Sequence, residues 1–599
     1  MTPGAMTPGQ PVPADLAERA RAWVADDPDA TDRAELQDLL DAAARGDTSG
    51  GASAADLADR FAGRLEFGTA GLRGAMGAGP NRMNRAVVRA ATAGLARWLH
   101  EHQPPGTGVV LGWDARHRSA DFAREAAAVL TGAGIPVHLL PGRSPTPLLA
   151  FAIRHLSTAA GVMITASHNP PADNGYKLYL GDGAQIIPPV DTEIEAAIRS
   201  VGPLPEIPLG PEESPLITRH GDEIAQAYLD AILAASPGVP PPGGRVRDVR
   251  VVYTALHGVA GPLMLRAIER AGYPAPYVVP AQAEPDPDFA TVSFPNPEEP
   301  GALDLALADA RRLEADLVLA SDPDGDRLAV AVPDPEASGG WRKLTGDQVG
   351  GLLGAFVLGA TPDRAGPDRA PHDQADPDQT APGRRVAATT VVSSSLLSKI
   401  AESAGARFAE TLTGFKWIVR AADHLPGTRF VFGYEEALGY AVGDVVRDKD
   451  GISAAIALLG LGAQAWAAGQ SLLDRWDALE QAHGVHLTAQ LTLPTRAPGE
   501  IMAGLRAAAP GALGESPVRS VTDLAPGRAD LPPTDALILR LDGARVVLRP
   551  SGTEPKLKAY LEVTEPVAPR GLAEARRRAQ SRMTPLRAAV RALLAPASP

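Results

Sequence analysis

The chain has 599 residues, of which 45% are hydrophobic and 21% charged, with a formal net charge of −14 and no cysteine. That length exceeds what one core supports and predicts roughly three to five domains. The acidic balance argues against non-specific binding to nucleic acid or anionic membranes, and the missing thiols exclude disulfides, thiolate metal sites and cysteine nucleophiles. Such a chain fits a cytoplasmic location.

The opening Met1–Gly9 carries no basic or apolar leader pattern, so a secretory signal is not expected; the tandem Met-Thr-Pro-Gly leaves Met1 and Met6 as alternative starts. Residues 1–62 read as a helical, charged surface extension. A first domain over 63–212 follows, with a helix at Asn84–His100 and a buried strand at Val109–Leu111. Next come a helix capped by Ser119, a strand at Ile135–Leu140, a helix capped by Thr146 with Pro147 behind it, and a strand at Gly161–Thr165. This alternation predicts a mainly parallel sheet covered by helices. The grammar recurs over 213–340, with strands at Val251–Ala255, Tyr277–Val279 and 317–320 and helices after Gly261 and over Leu303–Leu313. It recurs again over 341–484, with helices at 346–359, from Ser394 and after Gly451, and strands at Val386–Val392 and Phe430–Phe432. Residues 485–599 differ: four strands and a final helix predict a smaller α+β domain. Ser236–Gly244, Asp334–Gly340 and Thr361–Arg385 read as mobile, the last as a disordered insertion. The apolar run Ile452–Ala468 reads as a core helix, being short for a bilayer span.

Chemistry concentrates in the loops. Asp322-Pro-Asp-Gly-Asp-Arg327 places carboxylates at Asp322, Asp324 and Asp326 between two apolar strands. All-oxygen ligands select a hard ion, Mg²⁺ or Ca²⁺. An EF-hand would need glycine and glutamate where Arg327 and Pro333 stand, and is excluded. Arg327 can grip a phosphate on the same ion. Thr165-Ala-Ser-His-Asn-Pro170 leaves a strand at its carboxyl end, where ligands bind in parallel sheets. The glycines of an esterase elbow are missing around Ser167, so a phosphate-carrying serine fits better than a hydrolase nucleophile. Lys177 is a counter-charge or proton carrier, and Arg73 sits in a glycine-flanked loop able to approach an anion. Glu435 and Glu436 form a turn able to accept bonds from sugar hydroxyls; Arg447–Gly451 is a second charged turn. Arg549-Pro-Ser-Gly-Thr-Glu-Pro-Lys556 gathers hydroxyls, cations and free N–H groups into an anion cradle. No Walker A loop and no dinucleotide fingerprint is present.

Taken in order, from Glu66 to Lys558, these loops resemble the α-D-phosphohexomutase superfamily, the phosphoglucomutase/phosphomannomutase group, and most closely its longer branch with phosphopentomutase. The resemblance implies an α/β fold of four domains around a central cleft, three similar mixed-sheet domains and a smaller α+β C-terminal one. It implies a mutase that interconverts sugar 1-phosphate and 6-phosphate, glucose first, through phosphorylated Ser167 and a sugar bisphosphate. Mannose or pentose phosphates are the alternatives; a Mg²⁺-dependent sugar phosphatase or a non-catalytic phosphosugar-binding protein is the weaker rival. Mg²⁺ would sit on Asp322, Asp324, Asp326 and the Ser167 phosphate, with a sugar 1,6-bisphosphate such as glucose 1,6-bisphosphate as primer. Arg73, Arg327 and Lys177 would surround the transferred group, while His168, Lys177 and Lys449 stand unranked as acid–base. Thr413, Gly414, Glu435 and Glu436 would meet the sugar; Arg549, Ser551, Gly552, Thr553 and Lys556 would hold the far phosphate. Many relatives carry serine where this chain has Ala437, which removes one hydroxyl contact. The implied partner is a small sugar phosphate, with no nucleic acid or membrane, and the protein itself is expected to be a monomer or dimer.

Overall fold

The computed structural model describes residues 12–45, 54–68, 71–239, 249–359, 384–495, 497–551, 556–567 and 571–594. The alternative starts Met1 and Met6, part of Ser236–Gly244 and nearly all of Thr361–Arg385 lie outside them. The described chain forms two compact units: Met1–Ala234, Arg250–Leu328 and Val445–Ile452 in one, Ala235–Val249, Ala329–Asp444 and Ser453–Pro599 in the other.

In the first unit the apolar runs Val109–Trp113 and Ala160–Ile164 are too brief for a helix and are buried along nearly their whole length, so they become strands; six strands make up the sheet. These are β1 (Leu72–Ala75), β2 (Val109–Trp113), β3 (Val137–Arg143), β4 (Ala160–Ile164), β5 (Asp173–Leu180) and β6 (Ile217–Arg219), in the order β1-β5-β4-β2-β3-β6. β2 runs parallel to β3 and β4, and β3 parallel to β6. β5 pairs antiparallel with β4 and with β1. The sheet is therefore mixed: the segment between β4 and β5 is too short for a crossover, and only an antiparallel return is open to it.

Asn84 caps the helix Arg85–His102, accepting from the Val87 N–H at 2.9 Å. The helices Ala14–Asp26, Ala30–Arg45 and Ala54–Arg60 are less of a surface feature than their charge suggests. Leu16, Ala20, Leu36, Leu39, Leu40, Leu57 and Phe61 form a small core with Ala78, and Arg118 ties it down by donating to Asp32 at 2.7 Å. A second group of strands, β7 (Val251–Thr254), β8 (Tyr277–Val278) and β9 (Leu317–Ser321), is parallel throughout, with helices Gly261–Arg270 and Asp304–Arg312 as its crossovers.

From Ala329 to Asp444 the chain belongs to the second unit, where β10 (Leu328–Pro333) and β11 (Trp341–Lys343) form an antiparallel pair. Asp334–Gly340, expected to be mobile, is the turn between them: the Asp334 N–H donates to Gly340 O at 3.0 Å and the Glu336 N–H to the Asp334 carboxylate at 3.0 Å. Then come β12 (Arg385–Thr390), β13 (Arg407–Thr411), β14 (Arg429–Glu435) and β15 (Gly439–Val442), ordered β13-β12-β14-β15. β12 is parallel to β13 and β14, while β14 and β15 form a hairpin. The last sheet, β16 (Val485–Pro494), β17 (Ala512–Leu513), β18 (Ser516–Asp523), β19 (Leu537–Leu541), β20 (Ala544–Pro550) and β21 (Lys556–Glu565), is antiparallel in the order β16-β21-β20-β19-β18-β17. The helix Leu572–Leu594 covers it with Ala575, Ala579, Met583, Leu586, Val590 and Leu594, a stripe at helical spacing. Among the described residues no single helix is long and apolar enough to cross a membrane; Ile452–Leu459 is buried throughout in the helix Gly451–Ala467.

Candidate active site

Asp322 follows directly on β9, where the strand Leu317–Ser321 is buried along its whole length. The loop turns back on itself through a bond from the Gly325 N–H to Asp322 O at 3.0 Å. Gly325 has φ +71, and a Cβ there would lie 2.7 Å from the Ala260 Cβ, so both conformation and space demand glycine. The turn brings carboxylate oxygens of Asp322, Asp324 and Asp326 within 4.8 Å of one another, all three side chains being fully buried.

Three buried carboxylates repel, and the protein answers each differently. Burial, then the charges of Asp324 and Asp326, push the Asp322 carboxyl well above its ordinary range. Burial also works against ionised Asp324, but the Lys177 ammonium overrides it and the group is held below the usual value. Lys177 Nζ lies 2.6 Å from Asp324 Oδ2 and 3.1 Å from Asp326 Oδ2, and Thr146 Oγ1 donates to Asp324 Oδ2 at 2.7 Å. Lys449 Nζ reaches Asp326 Oδ2 at 3.2 Å. Asp324 Oδ1 and Asp326 Oδ1 remain buried without a hydrogen bond. Two orphaned hard oxygens beside a third carboxylate fit a hard divalent cation.

Ser167 stands opposite this triad. Its backbone is in the left-handed region at φ 50, which is uncommon for a side chain other than glycine and turns the hydroxyl away from the strand direction. Oγ donates to Asp322 Oδ2 at 2.8 Å, and His168 Nδ1 lies 3.2 Å from the same Oγ. What holds the loop in this shape is Arg116, at the carboxyl end of β2. Its guanidinium donates to the carbonyls of Ser167 and Asn169 at 2.6 Å each, of Pro170 at 2.8 Å and of Asp173 at 3.1 Å. Asp114 balances that buried charge at 3.4 Å.

Lys177 lies on β5, and Arg73 lies on β1 rather than in the loop that the sequence suggested. The strand stays hidden in sequence because of Asn174-Gly175; Gly175 is there because a Cβ would meet Thr165 O at 2.5 Å. Burial lowers the Lys177 affinity for a proton, yet Asp324 and Asp326 outweigh it and hold the ammonium charged. Burial, followed by the positive charges of Arg327 and Arg73, drives His168 well below its ordinary value, so its imidazole is neutral near pH 7. Arg73 donates to Asn169 Oδ1 at 3.2 Å, and Arg327 lies 3.7 Å from Glu298 and 3.9 Å from Asp326.

Two expected helix caps serve this site instead. Thr146 is the first residue of the helix Thr146–His155, whose cap position is Pro145; its hydroxyl goes to Asp324 and its N–H to Asp324 O at 2.9 Å. Ser119 does not cap either: Arg118 occupies that place at φ 64, and the Ser119 hydroxyl donates to Asp114 at 2.6 Å. Arg116 and Asp114 were missed in the sequence, and Thr146 was read there only as a cap. An Asp-x-Arg at the carboxyl end of a parallel strand was the available signal for the first two.

Ser167, His168, Lys177, Arg73, Arg327, Lys449 and the three aspartates thus assemble within the first unit. The remaining candidates belong to the second. Glu435 ends β14 and Glu436 opens the hairpin turn to β15. Glu436 Oε2 accepts from Ser393 Oγ at 2.9 Å and Thr390 Oγ1 at 3.3 Å. Burial, with Glu435 and Asp347 adding negative charge, raises Glu436 to about 7. Thr413 and Gly414 follow β13 and are half-buried, Gly414 at φ 108. Arg549 and Lys556 flank the connection between β20 and β21, and the Ser551 N–H donates to Lys556 O at 2.8 Å. Gly552 and Thr553 lie outside the described residues.

Four consecutive stretches match the domains of one family. Residues 64–203, 226–338 and 372–481 match phosphoglucomutase/phosphomannomutase alpha/beta/alpha domains I, II and III, and residues 518–579 match its C-terminal domain. The chain belongs to the phosphoglucomutase/phosphomannomutase family. It is 40% identical over 494 residues to a "Probable phosphomannomutase" of Haemophilus influenzae, covering 80% of this chain and 93% of that one. It is 35% identical over 545 residues to the phosphopentomutase of Homo sapiens, covering 85% and 87%. A phosphoglucomutase/phosphomannomutase family protein from Burkholderia thailandensis shares the fold, with a TM-score of 0.63 at 21% identity over 88% of this chain and 97% of that structure. The family member described here is accordingly a phosphomutase, an isomerase acting on sugar phosphates, with three α/β domains, a C-terminal domain and an aspartate triad able to hold a metal ion.

Proposed function

We propose that this phosphomutase moves a phosphoryl group between the 1- and 6-positions of a hexose, glucose first, with Ser167 as the carrier. The observation that supports this is the 2.8 Å bond from Ser167 Oγ to Asp322 Oδ2, which sets the hydroxyl on the edge of the carboxylate triad. Phosphorylated Ser167 loses its Oγ–P bond as the sugar hydroxyl forms a new O–P bond and gives up its proton. The resulting sugar bisphosphate, turned end for end, returns its other phosphate to Ser167 Oγ. Mg²⁺ held by Asp322, Asp324, Asp326 and the seryl phosphate would offset charge on the group in flight.

The chain's own residues do the rest. Arg73 and Arg327 present guanidinium groups for the equatorial oxygens. His168, 3.2 Å from Ser167 Oγ, stands within proton-transfer reach of that oxygen, although burial and the nearby Arg327 and Arg73 weaken its hold on a proton; Lys177 stays charged beside the triad, and Lys449 lies 3.2 Å from Asp326. Glu435 and Glu436 would orient the sugar ring, with Thr413 and Gly414 beside them. Arg549, Ser551, Gly552, Thr553 and Lys556 would bind the phosphate that is not reacting. A sugar 1,6-bisphosphate primes the serine.

A pentose phosphate is the second reading. It is favoured by the likeness to phosphopentomutase, and Ala437, which offers no hydroxyl to the sugar, weakens the case for any one sugar. The test is turnover of glucose, mannose and ribose 1-phosphates with Mg²⁺ and a trace of the matching bisphosphate. Ser167→Ala should lose turnover by several orders of magnitude with sugar-phosphate affinity little changed. Equal turnover in Ser167→Ala would end the proposal, and release of inorganic phosphate at the rate of substrate loss would replace it with a phosphatase.

A further inference from the structure

Lys449 comes to the triad from far along the chain, on the segment Val445–Ile452 that leaves the second unit's sequence and packs in the first. Long lysine side chains lose much rotamer freedom when fixed, so something must hold this one. Asp448 does so. Its Oδ1 accepts from the Lys449 N–H at 2.8 Å and lies 3.5 Å from Lys449 Nζ. Its Oδ2 accepts from Tyr179 Oη at 2.7 Å and from Gln185 Nε2 at 3.0 Å. Tyr179 is fully buried and stands two residues beyond Lys177 on β5, hence on the same face. One strand face therefore serves Asp326 twice: directly through Lys177 Nζ at 3.1 Å, and by way of Tyr179, Asp448 and Lys449 Nζ at 3.2 Å. The segment is pinned at two more points. Tyr228 Oη donates to Asp450 at 2.8 Å, and Gly451 lies so close to Arg327 that a Cβ would come within 2.4 Å of its carbonyl oxygen.

We propose that Tyr179 and Asp448 are positioning residues that aim the Lys449 ammonium at Asp326 Oδ2. The second lysine cannot then swing onto Asp326 Oδ1, and the orphaned oxygens stay turned toward the cation position. The inference rests on the mutase reading above.

The experiment is a double-mutant cycle on steady-state mutase kinetics with glucose 1-phosphate, comparing the parent, Tyr179→Phe, Asp448→Asn and the pair. Tyr179→Phe removes one hydrogen bond to a charged group and should lower kcat about tenfold, with KM for the sugar phosphate held within about twofold. In the Asp448→Asn background the same change should cost less than about twofold, because the carboxylate that Tyr179 supports is already gone. A Tyr179→Phe protein with parental kcat, or losses that multiply in the pair, would overturn the positioning role. Should Tyr179→Phe fail to fold, Gln185→Leu removes the other donor to Asp448 Oδ2; it must lower kcat without raising KM, and parental kcat there overturns the inference equally. A parent protein without turnover on any sugar phosphate overturns the mutase reading itself, whereas an active parent with an indifferent Tyr179→Phe overturns this inference alone.

Discussion

Lys177→Met is the most revealing perturbation of the triad because it removes a charge and keeps the volume. The buried ammonium lies 2.6 Å from Asp324 and 3.1 Å from Asp326. Without it, Asp324 Oδ2 keeps only the Thr146 hydroxyl at 2.7 Å, and Asp326 Oδ2 keeps Lys449 at 3.2 Å. Stripping one partner from a buried ion pair costs about 3–5 kcal/mol, because the other charge stays buried and uncompensated. For a unit of this size that is a fall in Tm of roughly 4–7 °C without metal. A divalent cation restores the missing charge, so Mg²⁺ should recover most of that fall in the variant while moving the parent far less. Thermal unfolding by near-UV circular dichroism, in EDTA and in saturating Mg²⁺, measures both shifts. An equal Mg²⁺ shift in parent and variant would refute the view that Lys177 balances the triad in the metal-free protein.

Three further outcomes follow from the same geometry. Arg116→Met strips four carbonyl contacts from the Ser167 loop and should lower kcat about 100-fold through misplacement of Oγ; Arg116→Lys should not rescue it, since an ammonium cannot reach four acceptors in a planar fork, and kcat for both variants checks this. Asp324→Asn should lose Mg²⁺ activation together with turnover, measured as rate against Mg²⁺ concentration. Glu436 sits at about 7 in the fold against an ordinary 4.5. A raised carboxyl means that ionisation is resisted by the fold: its contribution to stability is greatest below pH 4.5 and is lost as pH climbs through 7. In its proposed role as an acceptor for sugar hydroxyls it is about one-tenth ionised at pH 6 and about nine-tenths at pH 8. KM for glucose 1-phosphate should therefore fall by up to about tenfold across that interval, and Glu436→Gln, assayed alongside to account for the substrate's own ionisation, should flatten the difference.

Asp322–Arg327 and Thr165–Pro170 were legible because each interrupts a run of apolar residues with chemistry that has no structural purpose there. The strands around them were legible for the same reason. β5 and β1 were not, because Asn174-Gly175 and the glycines near Arg73 look like turns; their glycines serve close backbone approach instead, as the 1.9 Å between a Cβ on Gly71 and Tyr176 O makes plain. Thr146 and Ser119 read as caps because local sequence favours that use, and tertiary contacts with Asp324 and Asp114 claimed both hydroxyls. Arg116 and Tyr179 act across 51 and 269 positions, on Ser167 and Asp448 respectively, a separation that no local pattern encodes. The turn at Glu436 was visible in its bounding glycines, but its bonds with Ser393 and Thr390 come from the end of β12 and the loop after it.

The most direct measurement is the site of phosphate on the protein itself. After incubation with glucose 1,6-bisphosphate and Mg²⁺, peptide mapping by mass spectrometry should find a single phosphoryl group on Ser167, discharged on adding glucose 1-phosphate and absent from Ser167→Ala. Phosphate on another residue, or full mutase turnover by protein that never carries it, would contradict the account.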